Sequence, residues 1–522
     1  MKKKVIHSLT DSNEATQVEL RRILTFTFVV SLFLSLSQFI ADSVINSDGI
    51  FYLYLASLIQ QGEWQSATEV YNWLFYPYII SQIATLTTLS LEYSAYALNA
   101  LFTATTCVAF ILLVKEFGGR NKSILYYASL IILCYPNLNE YRNLVIRDHG
   151  YWAFYLLGCY FFIQAYKKPT LKVVISLTLF TALAALFRVE GVIFFISLPI
   201  LLLLRHISSV QKPTIVVVSI LVATSLSIFV YSNSYDNLNL SGFTKTKQLE
   251  QALTSNISNI SASINTTKKF INTLSPQGFS EEYAPAVLVF LFILILLTEI
   301  VSTTSPLYAI ALVSAFFFNR TAINHQSMRP WAYLITINII ILCGFLASRY
   351  FIAGRYPIPL ALILIIPLPF LAHLAYQRLQ NKTLSPIQTN LAKITAVLFV
   401  VLTLDGLVSI GASKEYLKDA GQWVTASHKN QEVSLFTNNQ FVSFYAAQQN
   451  GKRIKEPSFN TVLHKIKKGS LKKFDLLAIQ VSRKNPSGKS SLIEAFGTKP
   501  VKVFKNSKGD CVLIFTAQPT LS

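Results

Sequence analysis

Asn46-Ser47-Asp48-Gly49-Ile50-Phe51-Tyr52-Leu53-Tyr54-Leu55-Ala56 follows directly on a hydrophobic run from Ile23 to Ile40. Asp48 therefore stands where the chain should leave a bilayer. A carboxylate at that depth is costly unless it faces a water-filled cavity or a partner, which makes it a candidate functional residue. Gly49 reads as a turn. The apolar residues from Ile50 to Leu58, ending at Gln60-Gln61-Gly62, are too few to span and suit a helix lying along the interface. This stretch predicts an exoplasmic active site around Asp48, with further membrane spans as its walls.

Composition agrees with a membrane setting. The chain of 522 residues is 52% hydrophobic and 13% charged, with a mean hydropathy of +0.46. A soluble protein carries about 25% charged residues. Several apolar runs of 17 to 20 residues mark a polytopic membrane protein. No cleavage pattern follows the first run, and Lys2, Lys3, Lys4, Arg21 and Arg22 put the N-terminus in the cytoplasm. The net charge of +20 would suit a nucleic-acid partner, but the basic residues cluster at span ends and in the C-terminal tail. Topology and anionic lipid account for them better, so no nucleic acid is expected and membrane lipid is. The five cysteines do not form a disulfide framework.

The first third of the chain alternates coherently. Residues 63–90, rich in Trp and Tyr, read as further surface helices, with Leu74 to Leu91 as an alternative span. Tyr93 to Val114 spans and ends in the basic turn Lys115 to Lys122; Ser123 to Tyr135 returns outward; Tyr151 to Tyr166 re-enters and stops at Lys167-Lys168. The loop Asn137 to His149 thus shares the exoplasmic face with Asp48. Leu171 to Phe187 and Val192 to Leu204 flank the turn Arg188-Val189-Glu190-Gly191, and Pro213 to Tyr231 goes outward. Residues 232–283 read as an exoplasmic loop with at most a surface helix. Later spans are expected at Ala284 to Thr298, Leu307 to Phe318, Trp331 to Leu346, Pro359 to Tyr376 and Ile394 to Ile410. Alternation through 284–355 does not by itself set the side of Arg349 and Arg355. The expected fold is mainly α: a transmembrane bundle of 11 to 13 spans over residues 1–410 with interfacial helices, then a small soluble α/β domain over 411–522. That tail holds 18 Lys and Arg against 7 Asp and Glu. Strand-like runs occur at Glu432 to Phe436, Leu476 to Val481 and Val512 to Phe515, and a helix is expected over Lys414 to Thr425.

Two acids, Asp48 and Asp148, lie about one hundred residues apart on one face of the membrane. Transfer of a sugar to a hydroxyl or amine needs a carboxylate to take the acceptor proton and positive charge on the leaving phosphate. Asp48 is the candidate base; Asp148 or His149 could position the acceptor or hold a metal. A plainer reading makes Ser47 or Asp48 the cap of a helix starting at Gly49, and pairs Asp148 with Arg147 or Arg142. Arg188, Arg349 and Arg355 suit phosphate binding, with Tyr350 and Tyr356 beside two of them; the plainer reading is headgroup snorkelling. Glu190 pairs with Arg188. No nucleotide-binding loop or zinc-protease motif occurs.

Taken together, these features resemble the GT-C superfamily of integral-membrane glycosyltransferases, of the protein O-mannosyltransferase and aminoarabinose-transferase type. The matching elements are Asp48 followed by Gly49-Ile50-Phe51-Tyr52-Leu53-Tyr54-Leu55-Ala56, Arg147-Asp148 before a span, Arg188-Val189-Glu190-Gly191, and Arg355-Tyr356-Pro357-Ile358-Pro359. Glu415 to Trp423 looks like the first helix of an exoplasmic domain in bacterial members. The resemblance implies a hexosyl or pentosyl transferase taking a sugar from a polyprenyl-phosphate donor to a glycan, lipid or protein acceptor. It implies Asp48 as base, inversion at the anomeric carbon, and a bacterial inner membrane with the site facing the periplasm. Substrate contacts are then expected from Tyr52, Arg147, His149, Arg188, Glu190, Arg349, Arg355 and Tyr356, with no certain cofactor and room for a divalent metal. The family often has a second acid directly beside the first; here that neighbour is Gly49. The alternatives are a transporter or flippase, which should show inverted repeats, and a polymerase or ligase of lipid-linked glycans. The loop 232–282, without Arg or His, speaks against the latter.

Overall fold

Local sequence sets the start of the first helix. In the computed structural model, which describes residues 14–206, 262, 264–269, 283–318, 325–383, 385–407, 414–427, 433–446 and 456–516, Gln17–Ala41 opens with a reciprocal cap. The Glu19 backbone N–H donates to Thr16 Oγ1 (3.2 Å) and the Thr16 N–H to Glu19 Oε2 (2.9 Å), which satisfies two amides that have no partner within the helix. The chain is mainly helical. Among the described residues, five helices are long and apolar enough to cross a membrane: Gln17–Ala41, Leu91–Glu116, Ala284–Thr304, Met328–Arg349 and Ile358–Gln380. Lys122–Leu133, Leu171–Phe187 and Pro306–Phe318, at sites of expected spans, are shorter, with 12, 17 and 13 residues. The alternative span from Leu74 to Leu91 is instead a helix of 13 residues, Phe75–Thr87, closed by Thr88 in the left-handed region and followed by a fresh start at Leu91. The expected span 213–231 and most of the loop 232–283 lie outside the described residues, of which 264–269 are helical.

Asp148–Lys167 is the central post. It packs against Leu91–Glu116, Leu171–Phe187 and Glu190–His206, and Trp152, Tyr155 and Phe162 on it are fully buried. A helix apolar around its whole circumference belongs in such an interior. The polar helix ends sort to two sides. Lys167 pairs with Glu116 (2.9 Å), Arg120 with Glu14 (3.6 Å) and Lys122 with Glu19 (3.6 Å) at one end. Asp48, Arg147, Asp148 and Arg188 gather at the other.

Ser47–Gln60 departs from the expected surface helix. Seven consecutive or near-consecutive residues, Tyr52, Leu53 and Leu55 to Ile59, are buried, so neighbouring elements rather than a lipid interface cover it. Asn46, rather than Ser47 or Asp48, is the cap position, and it makes no side-chain cap bond. Gly49 is not a turn. It sits inside this helix, where an added Cβ would lie 2.9 Å from Val145 Cβ and 2.6 Å from Ile45 Cγ1. Its function is close approach to the loop before Asp148.

The tail folds as a four-stranded sheet, β1 Leu435–Thr437, β2 Leu476–Val481, β3 Lys502–Lys505 and β4 Cys511–Thr516, in the order β1-β2-β4-β3. β1 runs parallel to β2, and β4 runs antiparallel to both β2 and β3. Alternation along β2 and β4 sends Leu476, Ala478, Val512 and Ile514 to one face and Leu477, Ile479, Leu513 and Phe515 to the other. Glu415–Ser427 and Gln440–Tyr445 cover the first face; Phe459–Lys467 and Gly488–Phe496 cover the second. β3 and three of these helices went unrecognised in the sequence, because each is short, with 4 residues in the strand and 6, 9 and 9 in the helices.

The first face docks beside Asp48. Val44 and Ile50 enter its core, the Ile45 N–H donates to Tyr445 Oη (3.0 Å), Lys418 Nζ donates to Ser43 Oγ (2.9 Å) and Gln440 Nε2 to Ser47 Oγ (2.8 Å). The tail therefore lies on the Asp48 side of the helical region.

Gly49→Ala separates two opposing effects. In an open helix the change stabilises by about 1 kcal/mol, whereas overpacking against Val145 costs about 1–3 kcal/mol. The expected result is a lower unfolding midpoint for the purified protein in detergent; a raised midpoint would show that the loop leaves room for a methyl group.

Candidate active site

The site begins with Asn46. Its carboxamide accepts from the Val145 N–H (2.7 Å) and donates to the Val145 carbonyl (3.3 Å), which ties the start of Ser47–Gln60 to the chain entering Asp148–Lys167. The same loop is held from within the bundle, where Asn99 Nδ2 donates to the Leu144 carbonyl (3.0 Å) and Tyr76 Oη donates to Asn99 Oδ1 (3.0 Å). Asp48 and Asp148 each then lie in the first turn of a helix, where the exposed backbone N–H groups favour negative charge.

Arg188 reaches Asp148 from a third element. Leu171–Phe187 ends at Arg188, and Glu190–His206 begins almost at once. So tight a turn needs Gly191, where an added Cβ would lie 2.4 Å from the Ala185 backbone nitrogen. Buried Arg188 donates to Asp148 through Nη1 and to Glu190 through Nε (2.8 Å) and Nη2. Its guanidinium also stands over the Tyr356 ring, 4.4 Å from the centroid.

Arg355 completes the array from a fourth element. Nη1 donates to Asp48 Oδ2 (2.8 Å), and Nε lies 3.8 Å from Asp148 Oδ2. Charges thus alternate along Glu190, Arg188, Asp148, Arg355 and Asp48. Burial alone would depress the Arg355 guanidinium, but Asp148 and Asp48 more than offset it and hold the group above the usual arginine range. Arg147 donates to Tyr71 Oη (2.8 Å) and takes part in no ion pair among the described residues.

These groups border one cavity of about 430 Å³, lined by Arg147, Arg188 and Arg355, by the rings of Phe51, Tyr52, Tyr71 and Tyr356, and by Asp48 and Val70. Its size is that of a small-molecule site. No protein-family model and no curated protein matches the chain. The reading of the site therefore rests on its chemistry.

Most of the residues singled out in the sequence converge here. Asp48, Tyr52, Arg147, Arg188, Arg355 and Tyr356 line the cavity, with Asp148 and Glu190 directly behind it. Two do not reach it. His149 is buried, with Nδ1 3.0 Å from Thr103 Oγ1 and Nε2 2.9 Å from the Tyr141 carbonyl. Arg349 stands outside the lining and donates to Tyr356 Oη (3.1 Å). Arg142, the plainer partner for Asp148, instead donates to Asn139, Ser31 and Ser35 deep between helices. Sequence reading missed Tyr71, Phe51 and Asn46; the first was one of many interfacial aromatics and carried no separate signal.

The residues do not fit a divalent metal. Asp48 and Asp148 are both turned to guanidinium groups, and no group of three or more His, Cys, Asp or Glu is placed to hold an ion among the described residues.

Removing one member of a buried ion array leaves the others uncompensated, at a cost of about 3–5 kcal/mol. Arg188→Ala is expected to lower the unfolding midpoint sharply. The triple change Arg188→Met, Asp148→Asn, Glu190→Gln, which discharges the buried three members and leaves the Arg355–Asp48 pair, should recover most of that loss in the same thermal assay; equal midpoints for the single and triple variants would show that buried charge is not what Arg188 balances.

Proposed function

We propose that the protein is an integral-membrane glycosyltransferase that moves a sugar from a polyprenyl-phosphate carrier to an acceptor hydroxyl or amine, with Asp48 as general base. The observation that carries this reading is one cavity in which a half-buried carboxylate, Asp48, sits beside three arginines and four aromatic rings. Arginine matches a phosphate in charge and in fork geometry. Flat aromatic faces suit the apolar C–H face of a pyranose or furanose. The carboxylate gives the acceptor's proton a place to go.

In the reaction, the acceptor oxygen or nitrogen attacks the anomeric carbon, the bond from that carbon to the phosphate oxygen breaks, and the proton passes to Asp48. The carrier phosphate leaves with one more negative charge. Arg355 and Arg147 stabilise that charge, which supplies from side chains the positive charge a metal would otherwise bring. In the resting site Arg355 is engaged by Asp48 (2.8 Å). An entering phosphate competes for the guanidinium and frees the carboxylate to act as a base only when donor is bound. Attack opposite the leaving phosphate inverts the anomeric centre. The finer topology belongs to the same proposal: 11 to 13 spans over residues 1–410, a bacterial inner membrane, and a cavity and tail domain facing the periplasm.

Asp48→Asn keeps size and removes the proton acceptor. General-base catalysis accounts for about 10²–10⁴-fold in rate, so glycan transfer in vesicles supplied with polyprenyl-phosphate sugar should fall by that factor while membrane insertion is unchanged; full activity refutes the assignment. For Arg355→Ala the apparent donor KM should rise at least about tenfold, as expected for loss of a charge-assisted contact to phosphate. An unchanged donor KM removes Arg355 from the phosphate site.

A further inference from the structure

Half of the basic residues between 456 and 516 gather on one side of the tail domain, and the other half, Arg483, Lys484, Lys499, Lys502, Lys505 and Lys508, lie near β3 and the end of β2. Between residues 456 and 516 there are 12 Lys and Arg against 4 Asp and Glu. The layer docked beside Asp48 is balanced, with Lys414 and Lys418 set against Glu415 and Asp419. The opposite layer is not. Lys465, Lys467 and Lys468 on and just after Phe459–Lys467, Lys472 and Lys473 in the following turn, and Lys489 on Gly488–Phe496 are all exposed. None of the six takes part in an ion pair among the described residues. Three of the four acids are held within the domain: Glu456 accepts from the Gln440 N–H (2.9 Å), Asp475 from the Ser434 N–H (2.8 Å) and hydroxyl (2.6 Å), and Asp510 from the Arg483 N–H (2.9 Å); the fourth, Glu494, is exposed on the helix that carries Lys489. Crowded like charges repel, so a lysine cluster of this kind is a liability for the folded domain alone and an attraction for an anionic partner.

We propose that this outer face binds a polyanionic glycan, a sugar polymer bearing phosphate or carboxylate groups. Three observations select that occupant. The lysines lie on the sheet face opposite the one packed on Val44 and Ile50, so they point away from the helical region rather than down toward lipid headgroups. No Phe, Tyr or Trp is exposed between residues 456 and 516 among the described residues, and His464 is the exposed ring on this face, so the face lacks the large stacking platforms with which single-stranded nucleic acid is held. Lysine, a hydrated point charge on a flexible stem, suits a mobile polymer of scattered charges better than one fixed group. Binding there would hold an anionic polymer on the side of the tail domain that faces away from the helical region, without requiring any reaction.

The test uses the full chain in nanodiscs of zwitterionic lipid, with fluorescent polygalacturonate and long-chain polyphosphate as probes. Each released counterion contributes to a linear fall of log affinity with log salt. The intact protein should bind both probes with a steep salt dependence. The fivefold variant Lys465→Gln, Lys467→Gln, Lys468→Gln, Lys472→Gln, Lys473→Gln should bind at least 100-fold more weakly with a shallower slope. A control with Lys502→Gln, Lys505→Gln and Lys508→Gln should lose less than tenfold. Asp48→Asn should bind as the intact protein does, which separates this face from the proposed reaction: loss of catalysis with retained binding leaves the face intact, and the reverse leaves the reaction intact. Unchanged binding in the fivefold variant overturns the proposal. So does an equal loss in the control, which would mean net charge alone, and so does a loss confined to vesicles containing anionic phospholipid, which would make the face a membrane contact. A shared unfolding midpoint for the variants and the intact protein excludes misfolding as the cause.

Discussion

Asp148 is buried, and it can be so only because Arg188 and Arg355 stand on either side of it. A carboxylate taken from water loses several kcal/mol of hydration, which Coulomb attraction restores only when geometry is good and partners are close. That condition reaches far into the chain. Asp148 begins the central helix, Arg188 closes the hairpin behind it, and Arg355 enters from a turn more than 160 residues later in the sequence. Each element must arrive in register or leave a bare charge inside the protein. The ion array thus enforces the arrangement of four elements more strictly than apolar packing would, since apolar contacts tolerate sliding and buried charges do not.

The architecture was largely legible in the sequence because it rests on long-range averages. Run length and basic turns marked most of the helices, and short strand-like runs located β2 and β4 almost to the residue. Those signals sum over many positions and survive local exceptions. What failed were statements about single residues whose meaning depends on a neighbour distant in sequence. Gly49 looks like a turn beside Asp48, yet it is the absence of a side chain facing Val145 that matters. Apolar length suggested an interfacial helix at Ser47–Gln60; length and composition cannot distinguish burial under protein from burial in lipid.

The site was legible to a similar depth. Ionisable residues at span ends were conspicuous because the surrounding sequence has so few charges, and the cavity gathers most of them. His149 was drawn in by adjacency to Asp148. On a helix, neighbours in sequence are about 100° apart, so the residue following a site residue tends to face elsewhere; His149 turns inward to Thr103 and the Tyr141 carbonyl. Asn46 was overlooked for the converse reason. Its importance lies in a backbone group of another loop, and nothing in local composition reports that.

Exposure along the array divides its labour. The side chains of Asp148, Arg188 and Glu190 are between 3% and 7% exposed, whereas Asp48 and Arg355 are each 27% exposed. The inner three are almost wholly covered and hold a fixed geometry. The outer pair meets solvent and the cavity, where dielectric screening weakens their mutual attraction and an anion can compete for the guanidinium. One array can therefore be rigid at one end and exchangeable at the other. Because Arg355 touches both ends, a ligand that pulls it from Asp48 also alters the field at Asp148, and the buried half resists by keeping Arg355 within its own attraction. The resting Asp48–Arg355 contact is then a competitor for the ligand rather than an obstacle to it, held at the cavity wall by charges that cannot themselves be displaced.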